Sequence, residues 1–265
     1  MNIEAIMTEL MREAGKIMLS AHLEENNSDG AVSEKTGSAN FVTKYDVAVQ
    51  EFLINGVKSA VPEAEFIAEE KENDSSILMG DACFVIDPID GTKNFINGYR
   101  HSCISLAMIS KGEVVFAAIY DPYMDEMFTA EKGKGARLNG RPMRVSERPL
   151  DLGIAAYGTS PYYKDTLTEK TFGFAKDVFL AASDIRRCGS AALDIAYLAA
   201  GRNDMFFEFV LSPWDIAAGI LLVTEAGGVI TDIKGDPISL ATPSSVFAAN
   251  KIIHPELIKM AEKYI

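Results

Sequence analysis

At the end of one short apolar run the chain reads Asp87-Pro88-Ile89-Asp90-Gly91-Thr92. The run itself, residues 82–86, is bounded by a glycine and a proline, and its length predicts a buried strand. Pro88 fixes one backbone angle and has no N–H, so the chain turns sharply where the strand leaves the core. Gly91 allows the backbone to approach a ligand closely. The sequence therefore places two carboxylates together at the end of a buried strand.

Two interpretations of this stretch stay open on these residues alone. Carboxylates held this close repel each other unless a proton or a cation lies between them. Hard divalent cations, which bind carboxylate and carbonyl oxygens, would resolve that repulsion. A strand that ends in a turn, with Asp87 and Asp90 both solvated, explains the motif equally well because short motifs are weak signals.

The composition is that of an ordinary globular protein with a strong acidic bias. The chain has 265 residues, of which 48% are hydrophobic and 24% charged, and it carries a formal net charge of -13 with a pI near 4.7. Nucleic-acid and anionic-membrane surfaces require basic patches, so we expect neither nucleic acid nor a membrane as a direct partner. An acidic protein can still bind a phosphate ester where metal ions invert the local field.

The cysteines and histidines give no sign of a disulfide framework or of a histidine-based site. Three widely spaced cysteines predict reduced thiols and a cytoplasmic protein, and neither a signal peptide nor a transmembrane run is visible. No histidine has a partner at metal-ligand or triad spacing, so we do not expect catalysis to rest on histidine. The residues concerned are Cys83, Cys103 and Cys188, and His22, His101 and His254.

Hydrophobic periodicity predicts helices and strands along most of the chain, with a polar loop over residues 24–40. We interpret residues 1–265 as a single domain with a β-rich α+β half, about 1–148, and an α/β half, about 149–265. Helices are predicted over 3–21, after Thr43, near 163–178, over 189–200 and 213–226, and from about 255 to 264. Strands are predicted over 65–68, 82–86, 104–109, 114–120, 126–129, 154–157, 185–187, 206–209, 229–231 and 246–249.

Two glycine-containing segments invite comparison with anion-binding loops. Gly133-Lys134-Gly135 lies inside a series of hairpins with no helix behind it, so it favours a tight turn over a phosphate cradle. Gly189-Ser190-Ala191 opens a predicted helix, and its small residues either expose N–H groups to an anion or simply allow close packing. The Arg186-Arg187 pair before it favours ion pairs at a subunit interface over an anion contact.

Three further carboxylates stand at the ends of predicted elements: Asp46, Glu69 and Asp215. Each one alone is explained as a helix cap or a solvated acid. Taken together, Glu69-Glu70, the 87–92 stretch and Trp214-Asp215 resemble the signature set of the inositol monophosphatase family. The segment 213–228, which ends in Thr224-Glu225-Ala226-Gly227-Gly228, also resembles that family's C-terminal motif. The resemblance covers nearly the whole chain in motif order and spacing.

This resemblance implies a fold, a cofactor and an assembly. It implies an α+β or α/β layered fold, namely the αβαβα five-layer sandwich of the sugar phosphatases, commonly as a homodimer. It also implies a lithium-sensitive activity with two to three Mg²⁺ ions per site. The first ion would be held by Glu69, Asp87 and the carbonyl of Ile89, the second by Asp87, Asp90 and Asp215, and a weaker third by Glu69 with waters. Oxygen-only donors suit Mg²⁺ and disfavour soft metals.

The resemblance also implies a reaction. A metal-activated water, oriented by Thr92 with Asp46 or Glu69 behind it, would attack phosphorus in line, with no covalent phosphoenzyme. The phosphate would lie on the N–H groups of Gly91 and Thr92, and Lys35 corresponds to a loop lysine near the site. The residues that correspond to contacts with substrate hydroxyls are Asp90, Gly189, Ser190, Ala191, Glu208 and Asp215.

The substrate prediction is myo-inositol 1-phosphate or a similar small polyol phosphate, and three alternatives stay open. Glu208, at the position that binds inositol hydroxyls, favours the polyol. Lys93 stands where inositol enzymes often carry threonine and where related nucleotide 3′-phosphatases carry lysine. The alternatives are 3′-phosphoadenosine 5′-phosphate, fructose 1,6-bisphosphate and, in a different class, a regulatory role in which the acidic surface binds a basic protein.

Overall fold

The computed structural model describes residues 3–21, 32–34 and 41–265. Lys35 and His22 lie outside these residues, as does most of the predicted loop 24–40. Within that loop the chain forms a short strand, Val32–Glu34, paired antiparallel with Phe41–Thr43. The prediction of continuous loop was therefore wrong for these three residues, because a ladder this short leaves no alternating pattern in the sequence.

The remaining predicted helices and strands are present, with boundaries shifted by a few residues. The described helices are α1 (Ile3–Ser20), α2 (Lys44–Ala60), α3 (Thr92–Ile96), α4 (Lys164–Ala181), α5 (Ala191–Ala199), α6 (Pro213–Glu225) and α7 (His254–Ala261). The described strands are β1 (Val32–Glu34), β2 (Phe41–Thr43), β3 (Glu65–Ala68), β4 (Cys83–Asp90), β5 (Cys103–Ser110), β6 (Glu113–Asp121), β7 (Glu126–Glu131), β8 (Ala136–Leu138), β9 (Arg141–Met143), β10 (Ile154–Tyr157), β11 (Asp184–Arg186), β12 (Met205–Leu211), β13 (Val229–Thr231) and β14 (Ser244–Ala249).

Apart from the β1–β2 pair, the described strands form two mixed sheets. The larger has the order β3-β4-β5-β6-β7-β8-β9, which is antiparallel except for the parallel pair β3–β4. The smaller has the order β11-β10-β12-β14-β13, in which β10 runs parallel to both of its neighbours. A hairpin turn at Asn139-Gly140 joins β8 to β9, and both residues have positive φ, as an Asn-Gly turn requires.

The helices and sheets stack in five layers. Helices α1 and α2 cover one face of the seven-stranded sheet, and α5 and α6 fill the space between the two sheets. Helices α4 and α7 cover the outer face of the five-stranded sheet, where Phe174, Phe207 and Phe247 pack ring against ring. Truncating one such buried ring to alanine typically costs about 3–5 kcal/mol. The fold is thus the predicted αβαβα sandwich.

Strand β4 runs four residues beyond its predicted end at Ile86. Its ladder with β5 pairs Asp87 with Ser105, slips, and resumes at Asp90 opposite Cys103. Pro88 lies in that irregularity, where its missing N–H removes no ladder hydrogen bond. Asp87 and Asp90 therefore lie in a bulge at the end of a paired strand and not in a solvated turn.

No described helix combines the length and the apolar character that crossing a bilayer requires.

Candidate active site

Parallel pairing of β3 with β4 brings the first two acidic residues together. Ala68 lies opposite Ile86 in the register, so Glu69 and Asp87 leave the sheet at the same edge. Asp87 is 1% exposed, and its Oδ1 accepts a hydrogen bond of 3.0 Å from the N–H of Ile89. This burial excludes the interpretation in which Asp87 is solvated in a turn.

The bulge and the turn after it orient the rest of the motif. The Thr92 hydroxyl donates to the Ile89 carbonyl at 3.1 Å, which closes the turn that opens α3. Gly91 has φ +88°, and a Cβ there would lie 3.1 Å from the His101 carbonyl and 3.2 Å from that of Gly189. The glycine is therefore required both by backbone conformation and by close approach.

Asp215 comes to the same place from α6, which packs against β4, β5 and β6. Pro213 occupies the first turn, and the Ser212 N–H donates to Asp215 Oδ2 at 2.7 Å in a capping box. One carboxylate oxygen each from Asp87, Asp90 and Asp215 lie within 4.8 Å of one another. The helix cap and the acidic cluster thus use the same side chain.

Asp46 lies behind this cluster at the start of α2. Its Oδ2 accepts the Thr43 N–H at 2.7 Å and the Thr43 hydroxyl, which completes the predicted capping interaction. Its Oδ1 is buried and has no hydrogen-bond partner among the described residues. Burial raises the pKa of Asp46 to about 6, against the hydrogen bonds from Thr43 that lower it.

The electrostatics of the cluster require a positive partner. Burial raises the pKa values of Asp87 and Asp215 well above 3.8, and the neighbouring carboxylates raise them further. Burial also raises the pKa of Asp90 to about 6, although hydrogen bonds from Ser190 and Ala192 oppose the shift. Buried like charges are tolerated when a proton or a cation neutralises them. An oxygen-only donor set with an unpartnered buried oxygen behind it fits Mg²⁺.

These side chains line a cavity of about 440 Å³. Asp46 lies outside the lining and Lys35 lies outside the described residues, whereas the other predicted site residues contribute to the lining. Lys93 and Arg187 add positive charge to the same cavity, and the Lys93 ammonium lies 5.9 Å from the Tyr162 ring centroid. The predicted residues that line it are Glu69, Asp87, Ile89, Asp90, Gly91, Thr92, Gly189, Ser190, Ala191, Glu208 and Asp215.

A sequence model of the inositol monophosphatase family matches residues 2–265. The chain belongs to that family. It is 38% identical over 256 residues to the Nus factor SuhB of Escherichia coli K12, covering 95% of this chain and 93% of that protein.

Solved structures of relatives have the same fold. The extragenic suppressor protein suhB from Bartonella henselae superposes with a TM-score of 0.91 at 36% identity and covers 100% of both chains. An IMPase from Thermotoga maritima superposes with a TM-score of 0.88 at 33% identity, covering 100% of this chain and 98% of that one. The family name denotes a phosphatase, whereas the curated relative is named as a Nus factor.

Glu208 lies on β12, and its carboxylate is held by the segment Gly158–Ser160, a contact that the sequence did not predict. Burial raises its pKa to about 7, and its Oε1 accepts the Ser160 N–H at 2.7 Å. Ser160 has φ +41°, and a Cβ on Gly158 would lie 1.7 Å from Glu208 Oε2. The only local signal for this support is the run Gly158-Thr159-Ser160-Pro161, which is typical of a turn.

The two glycine-containing segments that invited comparison with anion-binding loops have partners within the chain. The N–H groups of Gly133 and Gly135 donate to the Glu225 carboxylate at 2.7 and 2.8 Å, which confirms the turn interpretation. At the start of α5, the Ser190 hydroxyl and the Ala192 N–H both donate to Asp90 Oδ2. That helix therefore begins at Ala191, and it binds an acidic side chain of the same cavity.

Two further contacts were not predicted from the sequence. Arg187 lines the cavity and donates to the Thr159 hydroxyl at 3.0 Å, and the ion pairs expected for Arg186-Arg187 at a subunit interface stay a prediction. His101, which has no partner at metal-ligand or triad spacing along the chain, has its Nε2 3.4 Å from Asp194 Oδ1. Such pairs lie tens of residues apart in sequence, so spacing along the chain could not reveal them.

Proposed function

We propose that the protein is a Mg²⁺-dependent phosphomonoesterase that hydrolyses myo-inositol 1-phosphate or a similar small polyol phosphate. The observation that carries the proposal is the convergence of Glu69, Asp87, Asp90 and Asp215 in one cavity, with Asp46 behind them. A buried cluster of carboxylates opposes folding unless protons or a cation neutralise it, and near neutral pH a cation does so without protonating every member. A purely structural role would not require these carboxylates to lie together.

The metal assignment follows the donors. Glu69, Asp87 and the Ile89 carbonyl would hold one Mg²⁺, and Asp87, Asp90 and Asp215 a second, with Glu69 contributing to a weaker third. When bound, these ions would neutralise the phosphate oxygens and activate the attacking water. Asp90 and Asp215 each use Oδ2 for internal hydrogen bonds, which fixes the carboxylates and leaves Oδ1 for a ligand.

The protein's own groups would position phosphate and water. The first N–H groups of a helix lack intrahelical partners, so those of Gly91 and Thr92 can face a phosphate oxygen. The Thr92 hydroxyl would orient the attacking water, and Asp46 or Glu69 would accept its proton. Asp46 suits this task because its pKa of about 6 allows it to be ionised near neutral pH and still bind a proton.

The alcohol part of the substrate would be recognised by further residues of the cavity wall. Glu208, fixed by Ser160, can accept hydrogen bonds from hydroxyl groups, as can Asp90 and Asp215. The backbone of Gly189 and Ala191 would lie against the sugar or polyol. The Ser190 hydroxyl is engaged by Asp90, so its contribution would be to hold that carboxylate.

Two observations keep other functions under consideration. Lys93 and Arg187 line the cavity, and a second phosphate on the substrate would find positive charge there. This favours fructose 1,6-bisphosphate or 3′-phosphoadenosine 5′-phosphate as second candidates. The name Nus factor borne by the Escherichia coli relative favours a regulatory, protein-binding role as a candidate of another class.

The test is phosphate release with Mg²⁺ from inositol 1-phosphate, glycerol 2-phosphate, fructose 1,6-bisphosphate and 3′-phosphoadenosine 5′-phosphate, each with and without lithium. Fastest turnover of inositol 1-phosphate, suppressed by lithium, supports the proposal. Preference for a nucleotide or bisphosphate retains the reaction and changes the substrate class. We expect Asp215→Asn to remove most turnover while leaving the fold intact, and unchanged activity in that variant would refute the metal assignment.

A further inference from the structure

We propose that His101, Cys188 and Asp194 form a second metal site, for a borderline-soft divalent ion of the Zn²⁺ type, distinct from the carboxylate cluster. One donor atom from each of these residues lies within 4.8 Å of the other two. In a tetrahedral zinc site, neighbouring donor atoms are separated by about 3.5 Å. Small side-chain rotations would therefore bring the three donors to coordination distance.

The imidazole is positioned for a ligand. The His101 side chain is 15% exposed, and its buried Nε2 makes no hydrogen bond with any described residue, although Asp194 Oδ1 lies 3.4 Å away. The ring stands edge-on to Tyr197, with centroids 5.8 Å apart, which fixes its plane. The separation of Nε2 and Oδ1 is that of an ion pair when the ring is protonated, and a divalent cation between the two atoms would take the place of that proton.

The two chain segments that carry the donors are held together by one amide. Asn94 Nδ2 donates to the His101 carbonyl at 2.7 Å and to the Cys188 carbonyl at 2.8 Å. Asp194 is fixed independently, on the first turn of α5, where its N–H donates to the Ser190 carbonyl at 3.0 Å. The three donors are therefore arranged by the backbone before any ion binds, which lowers the ordering cost of binding.

The charges around the cluster favour a cation. Asp90 and Asp121 both lie close enough to His101 to stabilise positive charge there, in addition to Asp194. Arg187 opposes a cation but also favours the thiolate form of Cys188. Burial and the Asp194 carboxylate raise the pKa of the Cys188 thiol to about 12, so metal binding must release its proton.

The donor types separate this site from the one assigned to Mg²⁺. Imidazole nitrogen and thiolate sulfur select zinc-like ions, whereas Mg²⁺ prefers oxygen alone. Three protein ligands leave a fourth position for water or a ligand, as in open zinc sites. Asp194 also lines the cavity, so an ion held there would stand at its wall.

An ion at this site would inhibit the phosphatase, a consequence that rests on the function proposed above. Binding would draw Cys188 toward Asp194 and pull on Gly189 and Ser190, which lie directly after it. Ser190 donates to Asp90, so this displacement would disturb one of the carboxylates assigned to Mg²⁺. We therefore expect micromolar Zn²⁺ to inhibit the wild type more strongly than Cys188→Ser.

The binding test uses Co²⁺ as a spectroscopic stand-in for Zn²⁺, with excess Mg²⁺ present to occupy the oxygen sites. We expect one equivalent of Co²⁺ to give a near-ultraviolet thiolate-to-cobalt charge-transfer band and the intense visible bands of tetrahedral Co²⁺. Zn²⁺ should abolish both by displacement. Cys188→Ser should lose the charge-transfer band and weaken Zn²⁺ binding by about a hundredfold or more, as loss of a thiolate ligand predicts.

Two further variants separate a ligand role from a general effect on folding. Cys83→Ala changes a buried cysteine outside the cluster and should retain the full spectrum, whereas His101→Gln should shift the visible bands and weaken binding. Thermal unfolding with Mg²⁺ checks that each variant is folded. Absence of a charge-transfer band in the wild type, or its survival in Cys188→Ser, would overturn the proposal whatever the phosphatase assay shows.

Discussion

Asp87 and Asp204 are equally buried, each 1% exposed, yet their surroundings are opposite. Asp204 Oδ1 accepts hydrogen bonds from Arg148 Nε at 2.8 Å and from the Ser146 hydroxyl, and its Oδ2 accepts the Ile154 N–H at 2.7 Å. Asp87 accepts one hydrogen bond among the described residues, from Ile89, and is surrounded by other carboxylates. Burial alone therefore does not distinguish a structural acid from a functional one.

The two acids differ in the groups that neutralise and hydrogen-bond their carboxylates. Both oxygens of Asp204 have partners within the chain, and Asn250 extends this network by donating to the Ser146 hydroxyl at 3.1 Å and to the Arg148 carbonyl at 2.9 Å. This network ties the segment between the two sheets to β10 and to the start of α7. Among the residues that the structure describes, the charged groups around Asp87 are other carboxylates, so an external cation would neutralise the cluster. Substituting each acid should reveal this difference.

The largest effect is expected for Asp87→Asn, the acid assigned to both metal ions. Loss of a bridging ligand should reduce Mg²⁺-dependent phosphate release about a thousandfold or more, equivalent to about 4 kcal/mol in the barrier. Without metal, the same variant should be as stable as the wild type or more stable, because one charge has left a repelling cluster. Steady-state kinetics and urea unfolding with a chelator measure the two quantities.

Strong destabilisation of Asp87→Asn without metal would refute the difference between the two acids, because the Asp87 carboxylate would then have a structural partner. Asn retains the shape of Asp, so a collapse of the fold cannot be attributed to a cavity. Wild-type levels of phosphate release would instead show that Asp87 is not a metal ligand.

Asp204→Asn should give the reverse result, with a smaller effect on turnover and a larger one on stability. Asp204 is buried and Arg148 is half-exposed, so removing the carboxylate charge and weakening the hydrogen bonds to it costs about 3 kcal/mol, mostly through the groups left without a full partner. The free energy of unfolding should fall by that amount in urea, with and without Mg²⁺, while phosphate release changes less than about tenfold. A loss of activity as deep as that of Asp87→Asn, in folded protein, would contradict the structural role.

The sequence was sufficient to predict most of the helices and strands because their signals are local. The apolar run before Asp87 and the cap Thr43 with Asp46 each carry their information within a few residues, and the structure contains both elements. Family resemblance, not periodicity, supplied the five layers and the grouping of Glu69, Asp87, Asp90 and Asp215. The structure brings these residues together, although their roles stay predictions.

Contacts between distant segments were beyond the reach of the sequence. Ser160 reaches Glu208 across 48 positions, and Asn94 reaches Cys188 across 94. Nothing in a local pattern distinguishes the asparagine that joins two loops from one in a solvated turn. For the same reason the network around Asp204 and the approach of His101 to Asp194 became visible with the fold.

The smallest expected effect, a shift of several degrees in melting temperature, tests whether the cluster exchanges protons for metal. Burial raises the pKa values of Asp46 and Asp90 from 3.8 to about 6, and that of Glu208 from 4.5 to about 7. The folded state therefore binds more protons than the unfolded state between about pH 4 and pH 7. In the metal-free protein, the stability that these three groups contribute should be full below about pH 4 and should be lost as the pH rises through that window.

Mg²⁺ competes with those protons, so its stabilising effect should grow with pH. At about a hundred times its dissociation constant, a ligand adds about 2.7 kcal/mol. For a chain of this size that corresponds to a rise in melting temperature of roughly 5–10 °C.

Thermal unfolding with a chelator, with Mg²⁺ and with NaCl of equal ionic strength, at about pH 5 and about pH 8, measures this rise in melting temperature. The increment should be larger at the higher pH and should shrink in Asp87→Asn but persist in Asp204→Asn, because Asp204 already has its partners within the chain. Equal increments at both pH values would mean that Mg²⁺ binds elsewhere than among the protonated carboxylates.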